Sequence, residues 1–380
     1  MSNIPAHYQA VWESSSIDAA MSRAPILILS FIMLWAINII IFDKFRLPYT
    51  SVIPARNVNV YYVFFAPFLI IILLLFMLFL FHSSSNIMNL EYIMLLFYSI
   101  IIFLLYYICT NGKIFNKTYS DQTSPFLSLL YVVFNPNPDK IAFVEVLCAD
   151  ALCSLSKVLK DLGVTIIVLV ASFNNVPVYN MHEGGMILIA LLASLPFALR
   201  VRQCSIQLIN TSDMYTALGI LINILKYISS FPPIWIATYS AITINTSVES
   251  KTQTHMLMLT AATINSTLSY GWDIVMDWGL ISFNIRPNAK SLIYFRPRLF
   301  YPVYYHLVAA IVNLIMRFSW MITMFESART LNPGTLVLLV EAMEIIRRFI
   351  WNIFRVEWEI INKADVDKVE KEVITPIMSK

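Results

Sequence analysis

The residues of this sequence that could do chemistry are charged side chains placed inside long apolar runs. The segment 341–359, EAMEIIRRFIWNIFRVEWE, carries Arg347, Arg348 and Arg355 among bulky apolar residues. A charge at the centre of a membrane helix costs roughly 2.5–3.5 kcal/mol on insertion scales, so such residues usually face a bundle interior or a watery cavity. At helical spacing the polar side comprises Glu341, Glu344, Arg348, Asn352 and Arg355, and the apolar side Ile345, Ile346, Phe349, Ile350 and Ile353. We expect a helix with a polar lining; the alternative is an interfacial helix end with snorkelling arginines.

Four other apolar runs carry polar side chains at helical spacing. They hold Asp150, Ser154, Lys157 and Asp161 in 142–172; Asn223, Lys226, Tyr227 and Ser230 in 214–243; Ser266, Tyr270, Asp273 and Asp277 in 254–280; and His306, Asn313, Arg317 and Trp320 in 300–325. In the second run these residues come just before Pro232-Pro233, where a helix loses backbone donors and can open its carbonyls to a cavity. Five helices with a polar side indicate a shared polar interior.

Two interpretations of these charges stay open. A stable hydrophobic bundle requires its buried charges to be paired. The candidate cations are Lys226, Arg317, Arg347 and Arg348, and the candidate acids are Asp150, Asp273, Asp277 and Glu344. The same balance suits a pathway, because arginine forks match tetrahedral oxyanions bidentately and nearby carboxylates keep the site from trapping its anion. An anion translocation route is the more specific of the two hypotheses.

The composition places the chain among membrane proteins. It is 58% hydrophobic and only 13% charged over 380 residues, whereas soluble domains average about a quarter charged. The rule of about twenty apolar residues per span predicts an all-α polytopic membrane protein with about nine transmembrane helices. They are placed at 25–43, 60–81, 91–110, 142–172, 185–203, 214–243, 254–280, 300–325 and 335–360. A small, scattered net charge of +3 argues against nucleic acid. We expect no metal, no cofactor and no enzyme activity, since no metal-ligand spacing and no HExxH or GxSxG motif occurs.

The polar segment 111–140 divides the chain. We expect an N-terminal region at 1–139 with three transmembrane helices and a cytosolic linker, a transport bundle at 140–362 and a cytosolic tail at 363–380. Lysine and arginine concentrate in 44–58, 111–140, 200–213 and 284–298, and basic short loops are usually cytosolic. With nine spans, the amino terminus is then luminal and the carboxyl terminus cytosolic. Asn245 is the sequon that we expect to carry a luminal glycan.

Six strings, ordered along residues 140–360, resemble the EXS family of eukaryotic phosphate exporters. They are ADALCSL (149–155), LRVRQC (199–204), LKY (225–227), YGWDIVMDWGL (270–280), RFSW (317–320) and EIIRRFIWNIFRVEWE (344–359). The resemblance implies an EXS-type helical bundle. It also implies a phosphate pathway at Asp150, Lys226, Tyr227, Asp273, Arg317, Arg347 and Arg348, with Trp320 and Glu344 at a gate. The chain departs from the family pattern at Ala151 and at 357–360, which leaves fine selectivity and tail contacts open.

The length and the three-span amino-terminal region resemble the SPX-less branch of the family, which is represented by the yeast ER-retention-defective protein of the Golgi membrane. The implied function is the return of inorganic phosphate from Golgi lumen to cytosol, which supports luminal glycosylation and retention of resident proteins. Control by inositol pyrophosphates, which the SPX domain senses, is expected to be missing. The alternative is a non-transporting membrane adaptor that retains glycosyltransferases. The candidate partners are inorganic phosphate, the lipid bilayer, a cytosolic Golgi sorting or coat protein bound by the loops and tail, and a second copy in a homodimer.

Overall fold

The computed structural model describes residues 14–53, 60–83, 90–111, 141–178, 182–243, 248–283, 293–296, 298–324 and 333–378, and these residues are predominantly helical. The amino-terminal helices are α1 (Ser14–Lys44), α2 (Val60–Ser83) and α3 (Leu90–Asn111). They are followed by α4 (Phe143–Ser154), α5 (Ser156–Phe173), α6 (His182–Ile209), α7 (Met214–Ile228), α8 (Phe231–Ile242) and α9 (Val248–Trp272). The last two helices are α10 (Val303–Arg317) and α11 (Pro333–Met378).

The prediction of a multi-pass membrane protein is confirmed. Within the described residues, five stretches are long and apolar enough to cross a membrane: Ile17–Lys44, Val63–Leu80, Glu183–Ile209, Met214–Ile242 and Val303–Thr323. Helices also occupy the other predicted spans, but α5 and α11 carry several charges and the apolar part of α3 is short. The count of nine spans stays a prediction. The junction at 139–140 and Asn245 lie outside the described residues.

Helix α11 is the element on which the rest of the bundle is assembled. It packs against α1, α4 and α10. Its buried Trp351 and Phe354 belong to an apolar cluster that also contains Phe42, Trp278 and Tyr301. Of the apolar side predicted for this helix only Ile346 is exposed. The middle of α11, residues 340–361, is therefore largely covered by protein, and burial of these large side chains holds its polar residues in fixed positions.

Regular helix is interrupted at several places that lie close together in the fold. Helices α4 and α5 are separated at Leu155, and α7 gives way to α8 at Ser229–Ser230, with Pro232 and Pro233 in the first turn of α8. Helix α9 ends in a π-helical turn, Asp273–Asp277. Proline removes a backbone donor, and π turns are frequent at functional sites because they re-aim side chains. The predicted Pro232-Pro233 break is confirmed.

A short antiparallel hairpin departs from the all-α prediction. It consists of β1 (Ile281–Phe283) and β2 (Ile293–Phe295). Directly after β2, the guanidinium of Arg296 lies 3.0 Å from the Glu357 carboxylate of α11, and the His306 ring of α10 lies 2.7 Å from the same carboxylate. All three side chains are buried. The sequence placed Arg296 in a basic, cytosolic loop at 284–298; in the structure it is buried and joins β2 to the helical bundle.

Gly279 precedes the hairpin with a positive φ of 53°, and a Cβ there would lie 2.4 Å from the Trp358 indole. We expect Gly279→Ala to lower stability by at least about 1–2 kcal/mol, the cost of left-handed backbone for an L-residue, with the collision added. Thermal unfolding of the purified protein measures this. Gly271→Ala is the matched control, because nothing lies within 4 Å of that position. Equal unfolding temperatures for the two variants would contradict the prediction.

Candidate functional site

A polar cavity of about 290 Å³ lies among α4–α11. All nine residues assigned to a pathway or gate from the sequence line it: Asp150, Lys226, Tyr227, Asp273, Arg317, Trp320, Glu344, Arg347 and Arg348. Its charged lining comprises five cations, Lys157, Lys226, Arg317, Arg347 and Arg348, and four acids, Asp150, Asp273, Asp277 and Glu344. A concave site lined by an excess of one sign of charge concentrates ions of the other sign. This cavity is therefore suited to anions.

Asp273, in the first position of the π turn, is the most heavily bonded acid of the cavity. Arg317 donates to its Oδ2 from Nε at 3.1 Å and from Nη2 at 2.8 Å, and Arg347 approaches the same oxygen at 3.4 Å. The indole of Trp351 donates to Oδ1 at 3.1 Å, and the Asn313 amide donates to Oδ2 at 3.1 Å. The carboxylate is 2% exposed. It orients two arginines whose charges it offsets only in part.

Asp150 of α4 is held by residues of two other helices. Arg200 of α6 lies 2.9 Å from its Oδ1, and the Tyr227 hydroxyl of α7 donates to the same oxygen at 2.5 Å. Arg200 also donates to the Tyr227 hydroxyl at 2.9 Å. The sequence interpretation placed Arg200 in a basic loop at 200–213, but α6 continues to Ile209 and Arg200 is buried. The missed signal was its spacing from Gln203 and Cys204, which continues a helical side beyond the apolar run.

Lys226 and Arg348 are the cations that distinguish this cavity from a balanced structural network. Both are more than nine-tenths buried. The Lys226 amine lies 4.1 Å from the Tyr227 ring centroid and 5.0 Å from that of Trp272. Arg348 donates from Nε to Ser154 Oγ at 2.7 Å and stacks on Trp351. Within the described part of the chain neither side chain has a carboxylate oxygen within 4 Å. The acids of the cavity act on both cations only at longer range. Because a buried cation without a direct partner is costly, an anion would complete their coordination.

The two residues assigned to a gate lie at the same cavity. The Trp320 indole donates to Ser266 Oγ at 3.0 Å, and Ser266 in turn donates to the Arg317 backbone carbonyl. Glu344 forms a two-pronged pair with Arg347 at 2.8 and 2.6 Å, and its side chain keeps 24% exposure. Ser266 of α9 therefore links the Trp320 indole to the helix end that carries Arg317. The gating role of both residues stays a prediction.

The predicted charge pairing is correct for some residues and wrong for others. Arg317 and Arg347 pair with Asp273 and Glu344, as expected. Asp150, however, pairs with Arg200, and Asp277 is approached by Arg355 at 3.8 Å. Lys226 and Arg348 were expected to pair with acids and do not within the described residues. Asp161 was expected to share a polar side with Asp150, but the break at Leu155 turns it away and it binds Arg23 of α1.

No metal site is found in the part of the chain that the structure describes. Three or more His, Cys, Asp or Glu side chains are nowhere grouped there in a way that could hold a metal ion. The chemistry of the cavity is that of ammonium, guanidinium, hydroxyl and carboxylate groups. Guanidinium and ammonium groups form charge-assisted hydrogen bonds with oxyanions, and carboxylates oppose them.

The fold and the cavity define a multi-pass membrane protein with a buried cationic site. The profile of the EXS family matches residues 19–361, and the chain belongs to this family. It is 26% identical over 224 residues to Protein ERD1 homolog 1 of Schizosaccharomyces pombe, covering 57% of each chain. It is 29% identical over 266 residues to human Solute carrier family 53 member 1, covering 65% of this chain and 37% of that one.

A plant relative is more similar over a shorter stretch. Phosphate transporter PHO1 homolog 8 of Arabidopsis thaliana is 34% identical over 194 residues, covering 49% of this chain and 23% of the relative. The chain thus spans less than two thirds of the length of each of these relatives. The family profile begins within α1, so the matched region includes the three amino-terminal helices as well as the cavity.

Proposed function

We propose that this protein is a transporter of inorganic phosphate and that the cavity is its phosphate site. The observation that carries the proposal is the pair of buried cations, Lys226 and Arg348, that face one cavity without a carboxylate partner among the described residues. The family relationship supports phosphate in particular, since a relative in this family is named a phosphate transporter. Nothing in this mechanism requires bond making or breaking, so no enzyme activity is proposed.

Each pathway residue has a separate task in this proposal. Arg348 and Lys226 bind phosphate oxygens directly, and Arg317 and Arg347 contribute the N–H groups that Asp273 and Glu344 leave free. Asp150 and Tyr227 limit the affinity, because a carboxylate near the anion keeps it from being trapped. A volume of about 290 Å³ is at the lower end of ligand pockets. It suits a small hydrated ion better than a nucleotide.

The gate and the topology follow from the same arrangement. We infer that Trp320 and Glu344 close one end of the route, since Glu344 pairs with Arg347 and Trp320 is linked through Ser266 to the helix end that carries Arg317. We also propose nine spans, a luminal amino terminus and a cytosolic tail at 363–380, on the strength of the basic loops. The units 1–139 and 140–362 are proposed as the N-terminal region and the transport bundle, with α1 packed against α11 across that division.

The proposed route runs from the Golgi lumen to the cytosol. This direction rests on the likeness to the ERD1 homolog and on luminal chemistry, because nucleotide-sugar transferases release nucleoside diphosphates whose hydrolysis leaves phosphate in the lumen. Golgi vesicles from cells lacking the protein should retain phosphate formed inside them, and the wild-type protein should release it. Retention of phosphate at the same level in both would contradict the proposed direction.

The adaptor alternative makes a different prediction in the same cells. Its support is that α11 stays helical to Met378, beyond the predicted span. Removing the segment after residue 362 should abolish an adaptor while leaving a transporter active. If the truncated protein no longer retains glycosyltransferases but still releases phosphate, a separate adaptor function is favoured. If the truncated protein keeps both properties, the transport proposal stands.

A further inference from the structure

A second buried charge cluster lies outside the phosphate cavity. It joins α1, α5 and α11 through Arg23, whose guanidinium donates to both oxygens of Asp161 at 2.7 and 2.6 Å. The same guanidinium lies 2.9 Å from Oε2 of Glu341. The three side chains are 9%, 2% and 4% exposed, respectively. We call these three residues the Arg23 cluster.

The Arg23 cluster has one negative charge too many. Two carboxylates share a single arginine, so the three ionised groups would carry a net charge of −1 in a buried position. Both oxygens of Asp161 accept hydrogen bonds from the guanidinium. Oε2 of Glu341 lies 2.9 Å from Arg23 Nε, which already donates to Asp161, and in the described part of the chain it accepts no well-aligned hydrogen bond. Burying an ionised, incompletely bonded carboxylate is unfavourable. A proton on the Glu341 carboxyl group, on the oxygen that does not face Arg23, would restore neutrality.

The other groups around the cluster identify its link to the cavity. Besides Arg23, Asp161 and Glu341, the charged neighbours are Lys157 and Lys160 of α5 and Glu344 of α11, and Tyr98 of α3 lies 3.5 Å from Thr165 of α5. Lys157 precedes Asp161 by one helical turn and lines the phosphate cavity. It is also within electrostatic reach of Glu341 and Glu344. Lys157 can therefore balance the cluster or face an anion.

We propose that the Arg23 cluster binds a proton at Glu341 and that this proton is coupled to phosphate binding through Lys157. The inference rests on the proposed function of the cavity. When the cavity is empty, Lys157 offsets the excess charge of the cluster. Phosphate attracts Lys157, and the cluster then takes a proton from water in its place. Coupling is reciprocal, so proton binding at Glu341 strengthens phosphate binding in the cavity.

Calorimetry of phosphate binding tests this directly. Titrating phosphate into the purified wild-type protein at pH 7.5, in two buffers of different ionisation heat, counts the protons taken up on binding. We expect the wild type to take up about one proton more than Glu341→Gln, which already carries the neutral side chain. Protons exchanged by phosphate itself are the same for both proteins and cancel. Equal proton counts would overturn the coupling.

Two further variants protect the test against a folding defect at residue 341. Asp161→Asn also removes the excess negative charge of the Arg23 cluster, and Lys157→Gln removes the residue that links the cluster to the cavity. Neither variant should take up the extra proton when phosphate binds. Glu183→Gln, at an exposed position in the first turn of α6, should keep it. A second measurement is the pH dependence of phosphate affinity. Between pH 6 and pH 8, the affinity of the wild type should fall by a factor at least ten times larger than that of Glu341→Gln. If the wild type binds phosphate without extra proton uptake, only the coupling fails; if it binds no phosphate, the proposed function fails as well.

Discussion

Replacing Arg348 with lysine is expected to abolish most phosphate transport while leaving the abundance of the protein unchanged. Arg348 has no carboxylate partner among the described residues, so replacing its guanidinium leaves no buried acid without a counter-charge. Lysine keeps the charge but cannot form the planar two-pronged contact with an oxyanion, and it cannot keep both the Ser154 bond and an anion contact. We expect at least a tenfold fall in the transport rate at equal protein amount.

The control for Arg348→Lys is the same substitution at an exposed position. Arg202 lies on α6 with its side chain exposed, and Arg202→Lys should leave transport within about twofold of the wild type. Rates are measured as phosphate efflux per milligram of reconstituted protein. Normal efflux through Arg348→Lys would remove Arg348 from the phosphate site.

The transport rate of Arg317→Lys is also expected to fall. Arg317 donates to Asp273 from both Nε and Nη2, whereas a lysine offers a single donor atom.

Asp273→Asn is expected to destabilise the folded protein by about 3–5 kcal/mol, the range found when one partner of a buried ion pair is removed. Arg317 and Arg347 would then lose a shared counter-charge in a position that is 2% exposed. The measurement is the yield and the thermal unfolding of the purified protein. Asp213→Asn is the matched control: Asp213 is an exposed helix N-cap, and asparagine caps a helix about equally well.

A double variant separates stability from transport at Asp273. Combining Asp273→Asn with Arg317→Gln removes one charge of each sign, so the folded protein should regain most of the lost stability. Transport should stay low, because Arg317 belongs to the proposed phosphate site. Recovery of both properties together would show that Arg317 and Asp273 are only structural partners and would remove them from the pathway.

The sequence predicted the residues of the cavity better than it predicted their partners. Helical spacing and the EXS-like strings singled out nine side chains, and all nine line one cavity. Spacing along one helix is local information, whereas a charge pair joins helices far apart in the chain. Arg23 and Asp161 are 138 residues apart, and no periodic pattern links them. Arg23, Arg200 and Arg296 were missed for this reason and because each lies near the end of an apolar run.

Hydropathy alone also misplaced helix ends. The span ending at residue 203 in fact continues in helical form to Ile209. Cys204 in this segment is buried and accepts a hydrogen bond from Asn223 of α7 at 3.4 Å. The predicted span at 142–172 contains two helices, since the chain turns at Leu155. This break decides which of Asp150 and Asp161 reaches the cavity. A pattern that assumes one continuous helix cannot detect it.

Phosphate efflux from proteoliposomes that contain only the purified protein tests the central claim most directly. Vesicles loaded with radiolabelled phosphate should release it when the wild-type protein is present. Protein-free vesicles and vesicles with Arg348→Lys should retain most of it over the same time. Release by the wild type at the protein-free rate, with the protein folded and correctly inserted, would contradict the account.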